Sequence, residues 1–178
     1  MNQSIFSTLL LGLACSSSNH AEPLTDIPIA YAMVAKNFQI PSDILYAVAI
    51  TESGQLHHES NVPWPWALNI DGESVYCETQ NQAIDVLTEA VQHGKSVDIG
   101  LMQVSWRWHK QRFLTLEDAL SPIKNLTIGA TILREQYEQT GDWWESVGRY
   151  HDPGQDEGSL DSARNYRERV EQNWRVRF

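Results

Sequence analysis

Apolar residues recur at helical spacing along most of this chain. From Pro28 to Gln39, Ile29 and Met33, and likewise Ala30 and Val34, stand four apart, and Pro41-Ser42 then opens a second segment with Ser42 as the expected N-cap. That second segment, Asp43 to about Glu52, is strongly apolar. From about Gln80 to His93 the positions Ala83, Leu87, Ala90 and Val91 form an inward stripe, which Gly94 ends. Ser121-Pro122 begins a long helix to about Gln139, closed by Gly141, and Asp142 caps a short one through Tyr150. A last helix is expected from Ser159 to about Arg175, with Leu160, Ala163, Tyr166 or Arg167, Val170 and Trp174 on one stripe. Only Ala67 to Tyr76 reads otherwise, as two short strand-like runs around Asp71-Gly72, a strong hairpin signal. The expected fold class is mainly α with one small β-hairpin.

The first residues stand apart from this pattern. Ile5 to Ala14 is an uncharged apolar run of the length of a signal-peptide core, too short to span a bilayer as a mature helix. Residues 1–21 are expected to be a signal peptide and 22–178 the functional domain, exported to the periplasm. Cys15 makes a lipoprotein the lesser alternative, because Gly12 occupies a place where that signal wants a branched apolar residue. Cleavage would leave Cys77 as the mature domain's lone cysteine, so neither an internal disulfide nor a cysteine-built metal cluster is expected.

Composition narrows the function. The 178 residues suit one domain, and a net charge of −10 speaks against nucleic acid as a partner. The seven tryptophans are unusual. Six form three pairs, Trp64/Trp66, Trp106/Trp108 and Trp143/Trp144, and such rings suit a flat, amphipathic ligand. The span Ser159 to Phe178 carries five arginines against Asp161, Glu168 and Glu171, which reads as an amphipathic helix docking on the domain.

The sharpest chemical signal is an acid on a core stripe. Ile44, Val48 and Glu52 are spaced by four, and Leu45 stands seven before Glu52, so all share one helix face. A carboxyl group at the end of an apolar stripe is desolvated and holds its proton to higher pH, as a general acid for glycosidic cleavage must. Alternatively, the last turn reaches solvent and Glu52 is simply hydrated.

Three short motifs accompany it. Ile50-Thr51-Glu52-Ser53-Gly54, Gly100-Leu101-Met102-Gln103-Val104 and Val147-Gly148-Arg149-Tyr150-His151 resemble, in order and spacing, those of soluble lytic transglycosylase domains, which have a goose-type lysozyme-like fold. Trp64-Pro65-Trp66 with the following hairpin, and Asp98-Ile99 before Gly100, look like the branch associated with conjugation and type IV secretion. The resemblance implies an enzyme without cofactor or metal, acting as a monomer on peptidoglycan glycan strands. Components of a conjugation or type IV secretion apparatus would be its protein partners.

On this resemblance Glu52 is the sole acid/base, cutting between N-acetylmuramic acid and N-acetylglucosamine and leaving a 1,6-anhydro end. Substrate contacts are implied for Ser53, Gly100, Met102 and Gln103, with Met102 lining a sugar subsite and Gly100 letting backbone approach the glycan. Tyr150 matches the tyrosine that orients the glutamate, although it also shares a helical face with Trp143 and Val147 and could be core. With a glycan as substrate, one ring of each Trp pair is expected to line the groove and the other to be core, Trp66 and Trp106 being the groove-lining choices. The family has Asn after that tyrosine and Ala four before it; here they are His151 and Ser146. Two rival readings remain: a lysozyme-type hydrolase using Asp98 to activate water, and a non-catalytic peptidoglycan-binding or scaffold protein. Asp98 otherwise reads as a cap on loop amides, His57-His58-Glu59 as a solvated loop, and the glycosylation pattern at Asn125 falls within a helix.

Overall fold

The computed structural model describes residues 27–57 and 60–178. The expected signal peptide with Cys15, and His58 and Glu59, lie outside the described residues. Helix α1 (Ile29–Phe38) ends at Gln39, whose backbone is left-handed with φ 54°, and α2 (Ser42–Ser53) follows at once. Ser42 is not the cap: the N-cap is Pro41, whose fixed φ of −56° sets the entry, and no side chain caps this end. Every residue from Ile44 to Ile50 is buried, so α2 is the central helix of the domain, apolar all round as a buried helix must be.

After α2 the chain turns to strands. β1 (Gly54–His57) pairs antiparallel with β2 (Ser60–Pro63), and β3 (Ala67–Ile70) with β4 (Glu73–Tyr76). Asp71 and Gly72 both have positive φ, 51° and 92°, the requirement of the tight turn whose twist matches paired strands. The chain then forms α3 (Gln80–Gln92), β5 (Val97–Ile99) and β6 (Val104–Ser105), so the second sheet runs β4-β3-β5-β6. The expected hairpin is present as β3–β4, and the structure adds to it β5 and β6 in the same sheet and the separate pair β1–β2. Strands of two to four residues are too short for alternation to emerge against the helical background.

The remaining helices are α4 (Trp106–His109), α5 (Leu116–Ala119), α6 (Pro122–Thr140), α7 (Trp143–His151) and α8 (Glu157–Arg177). Asp142 accepts from the Glu145 amide at 2.8 Å to cap α7. Asp156 does the same for Ser159 at 3.1 Å, so α8 begins two residues before the sequence pattern indicates. The core is one cluster centred on α2 and reaching Leu68, Ile99, Leu126, Leu133, Val147 and Val170. Cys77 is free and buried. Among the described residues no helix is long and apolar enough to cross a membrane.

Candidate active site

Glu52 sits on the last turn of α2, where the apolar stripe of Ile44 and Val48 ends at the wall of a cleft of about 890 Å³. Asp98, Gln103, Trp108, Tyr150 and His151 also line this cleft. The carboxylate is held from the far end of the chain: the Tyr166 hydroxyl on α8 donates to Glu52 Oε1 at 2.5 Å. Two further bonds fix α8 against α2, from Asn173 Nδ2 to Thr51 Oγ1 at 2.8 Å and from Trp174 Nε1 to Asp43 Oδ2 at 2.7 Å. The C-terminal helix thus holds the carboxylate without itself lining the cleft. Its Tyr166 ring is stacked on His151, with centroids 4.6 Å apart and planes within 2°, and the Arg169 guanidinium lies 5.5 Å from the same centroid.

The loop bearing Gly100 to Gln103 is pinned from several elements. Ser53 Oγ donates to the Leu101 carbonyl at 2.8 Å, and the Tyr150 hydroxyl to the Met102 carbonyl at 2.6 Å. Asn125, buried in α6, accepts from the Met102 amide at 2.9 Å and donates to the carbonyls of Ile99 and Ala119. Gln103 has φ 43°, and its Nε2 donates to the Ala67 and Gly100 carbonyls at 3.2 and 2.9 Å. A non-glycine residue in this backbone region is costly, and this much bonding is what holds it there at the cleft.

Burial dominates the electrostatics. It pushes the Glu52 carboxyl up to about 7; the Tyr166 bond opposes the rise, the charge of Asp98 adds to it, and Arg169 opposes it. Asp98 is raised too, mainly by burial, against a hydrogen bond from Ser105 and the charge of His151. His151 is shifted down by burial and by Arg169, against the carboxylates of Asp152 and Asp98. The arrangement is one carboxyl group protonated near neutrality, oriented by a phenol, with a second carboxyl group in the same cleft. Among the described residues no three His, Cys, Asp or Glu side chains are grouped to hold a metal ion.

The model of the Transglycosylase SLT domain family matches residues 30–171, most of the chain and all of the elements that form the cleft. The chain belongs to this family. A relative, Protein virB1 of Agrobacterium fabrum (strain C58 / ATCC 33970), is 33% identical over 69 residues, covering 39% of this chain and 28% of that protein. The match thus spans little more than a quarter of the relative's length. No solved structure matches the chain.

Within this lysozyme-like SLT domain, several residues sit differently from what the motifs suggest. Ser53 is fully buried and serves the Leu101 carbonyl, leaving no surface for a sugar. Met102 is also fully buried and packs against Gly129, so it supports the groove from beneath. Gly100 has φ 76°, and a Cβ there would meet the Asn125 side chain at 2.8 Å, so the close approach that requires glycine is one to the protein itself. Tyr150 reaches the cleft but bonds to the Met102 carbonyl, while Tyr166 bonds to the glutamate. Asp98 is a strand residue of β5 facing the cleft, paired opposite Ser105, not a loop cap.

The tryptophans divide between packing and cleft. Trp66 is half-buried and meets Trp64 edge-on at 5.9 Å, while Trp64 Nε1 donates to the Cys77 carbonyl at 2.7 Å, so this pair braces the sheet. Trp106 stacks on Phe113 at 6.3 Å, and its neighbour Trp108, 68% exposed, is the ring in the cleft. Trp143 stacks on Tyr137 and Trp144 meets Trp174 edge-on. The residues that sequence reasoning missed are Tyr166, read as a core-stripe position, and Asn125, seen only as a glycosylation pattern. Asn125 carried a signal: a lone amide among the apolar positions of a long helix must find buried partners.

Proposed function

We propose that this SLT domain is a peptidoglycan lytic transglycosylase in which Glu52 is the only acid/base. The observation that carries the reading is the Glu52 carboxyl group, at the wall of a cleft and holding its proton to about pH 7. Glu52 gives its proton to the N-acetylglucosamine oxygen as the bond to the muramoyl anomeric carbon breaks. The muramoyl 6-hydroxyl attacks that carbon and returns its proton to Glu52, closing the 1,6-anhydro ring. No water is consumed, and the acid ends the cycle protonated as it began. A substrate-borne nucleophile removes the need for a second protein carboxylate.

Tyr166 positions the acid, and Trp108 offers a stacking face to a sugar ring. Asp98 favours a second reading, a hydrolase, because it lines the same cleft as Glu52. Export to the periplasm, and wall opening for a conjugation or type IV secretion apparatus, rest on the sequence resemblance and on the partial likeness to Protein virB1. The test is clearing of murein suspensions by wild-type and Glu52→Gln protein. Wild type should clear them and the variant should not; equal clearing would remove Glu52 as the acid, and murein binding without clearing would favour a scaffold.

A further inference from the structure

Beside the cleft, between α7 and α8, lies a second hollow of about 210 Å³. Arg149, Asp152 and Gly154 line both, so the two spaces adjoin around Arg149. Arg149 is unusually presented. Its Nε donates to Gln136 Oε1 at 3.1 Å and its Nη2 to Gln139 Oε1 at 3.0 Å. Both partners are neutral amides, so the guanidinium is held in place while no carboxylate among the described residues forms an ion pair with it.

Two more arginines face the hollow from α8. Arg167 Nε is buried with no hydrogen-bond partner; its nearest carboxylate, Glu171, is 3.6 Å away and also pairs with Arg175 at 2.8 Å. Arg164 pairs with Asp161 at 2.6 Å, an exposed contact that an incoming anion can replace. The lining also carries Glu145 and Asp152, and Asp161 and Glu171 already pair with Arg164 and Arg167, so among the described residues Arg149 is the arginine of this hollow with no carboxylate partner. Trp144 and Leu160 supply an apolar wall, and Leu160 is 53% exposed.

A hollow with one guanidinium free of a carboxylate and an apolar side, adjoining the cleft around Arg149, suits a short acidic chain branching from a glycan. We propose that Arg149, with Arg164 and Arg167, forms a carboxylate subsite for the peptide stem of the muramoyl residue. This rests on the glycan-cleaving reading above. A fixed planar guanidinium takes a carboxylate in two parallel hydrogen bonds, and Trp144 and Leu160 cover the aliphatic part of the stem.

The test is calorimetric titration of the whole protein with two soluble probes. One is a muramoyl disaccharide bearing an acidic peptide stem, and the other is the same compound with its stem carboxylates amidated. Wild type should bind the acidic probe about tenfold more tightly, the worth of one charge-assisted contact. That ratio should fall to about one in Arg149→Gln and in the Arg164→Gln/Arg167→Gln double variant, and recover in part in Arg149→Lys. A wild-type ratio near one, or a ratio that survives in both variants, overturns the subsite. Murein clearing by the same wild-type protein separates the two claims. Clearing with a ratio of one defeats only the subsite, and a tenfold ratio without clearing defeats only the lytic reading.

Discussion

Replacing Tyr166 with Phe removes one hydroxyl and leaves the ring against His151 and Arg169. The lost bond, 2.5 Å from Tyr166 to Glu52 Oε1, favours the ionised carboxylate and so opposes the rise of Glu52 towards pH 7. A hydrogen bond to a charged group contributes about 1.5–3 kcal/mol, of which part survives when Glu52 is protonated, because its carboxyl oxygen still accepts. About half of that is differential, and at about 1.4 kcal/mol per unit the Glu52 pKa should move up by about one unit. On the proposed mechanism cleavage needs protonated Glu52, so wild-type activity should fall as pH rises through about 7. In Tyr166→Phe the alkaline fall should come about one unit later. The low-pH plateau should also drop by about tenfold, because the acid is no longer aimed. The assay is kcat/KM for soluble muropeptide release against pH, with circular dichroism confirming the fold. An alkaline limb that stays put or moves down, with a wild-type plateau, would refute the positioning role of Tyr166.

Asp98→Asn removes a negative charge that raises the Glu52 pKa, so its alkaline limb should move down, opposite to Tyr166→Phe, in the same pH series. Thermal melts of Glu52→Gln test the burial itself. A carboxyl raised from 4.5 to about 7 in the fold stabilises it fully below pH 4.5 and loses that contribution as pH rises to about 7. The variant should therefore melt several degrees above wild type at pH 8, for up to about 3 kcal/mol, and no higher at pH 4, whereas equal gains at both would contradict a buried acid. Ser53→Ala strands the buried Leu101 carbonyl and should cost about 1–3 kcal/mol in denaturant unfolding; an unchanged midpoint would remove its clamping role. Trp108→Ala, at a ring 68% exposed, should weaken binding of soluble glycan by about 1–3 kcal/mol in titration while leaving the melting temperature within a degree or two.

The helices and the place of Glu52 were legible because both depend on local periodicity. Ile44, Val48 and Glu52 declare their common face at a spacing of four, and the structure puts the carboxyl where that stripe ends. Tyr166 was not legible as its partner. It lies 114 residues further on, and a stripe at period 3.6 marks which way a side chain faces, not which side chain it meets. Trp106 and Trp108 show the same limit, since adjacent rings of one kind are sorted into packing and groove only by the surrounding elements. Ser53 on α2 and Gly100 and Met102 on the loop make contacts within the protein that hold the loop's shape. β5 and β6 escaped notice because strands of three and two residues exist here only through their neighbours, β5 paired to β3 and β6 to β5.

Mass spectrometry of the soluble products from murein digested by the purified protein tests the central claim most directly. The account expects chains ending in 1,6-anhydro-N-acetylmuramic acid, formed by wild type and absent with Glu52→Gln. Reducing N-acetylmuramic acid ends in place of anhydro ends would contradict it and assign the reaction to water.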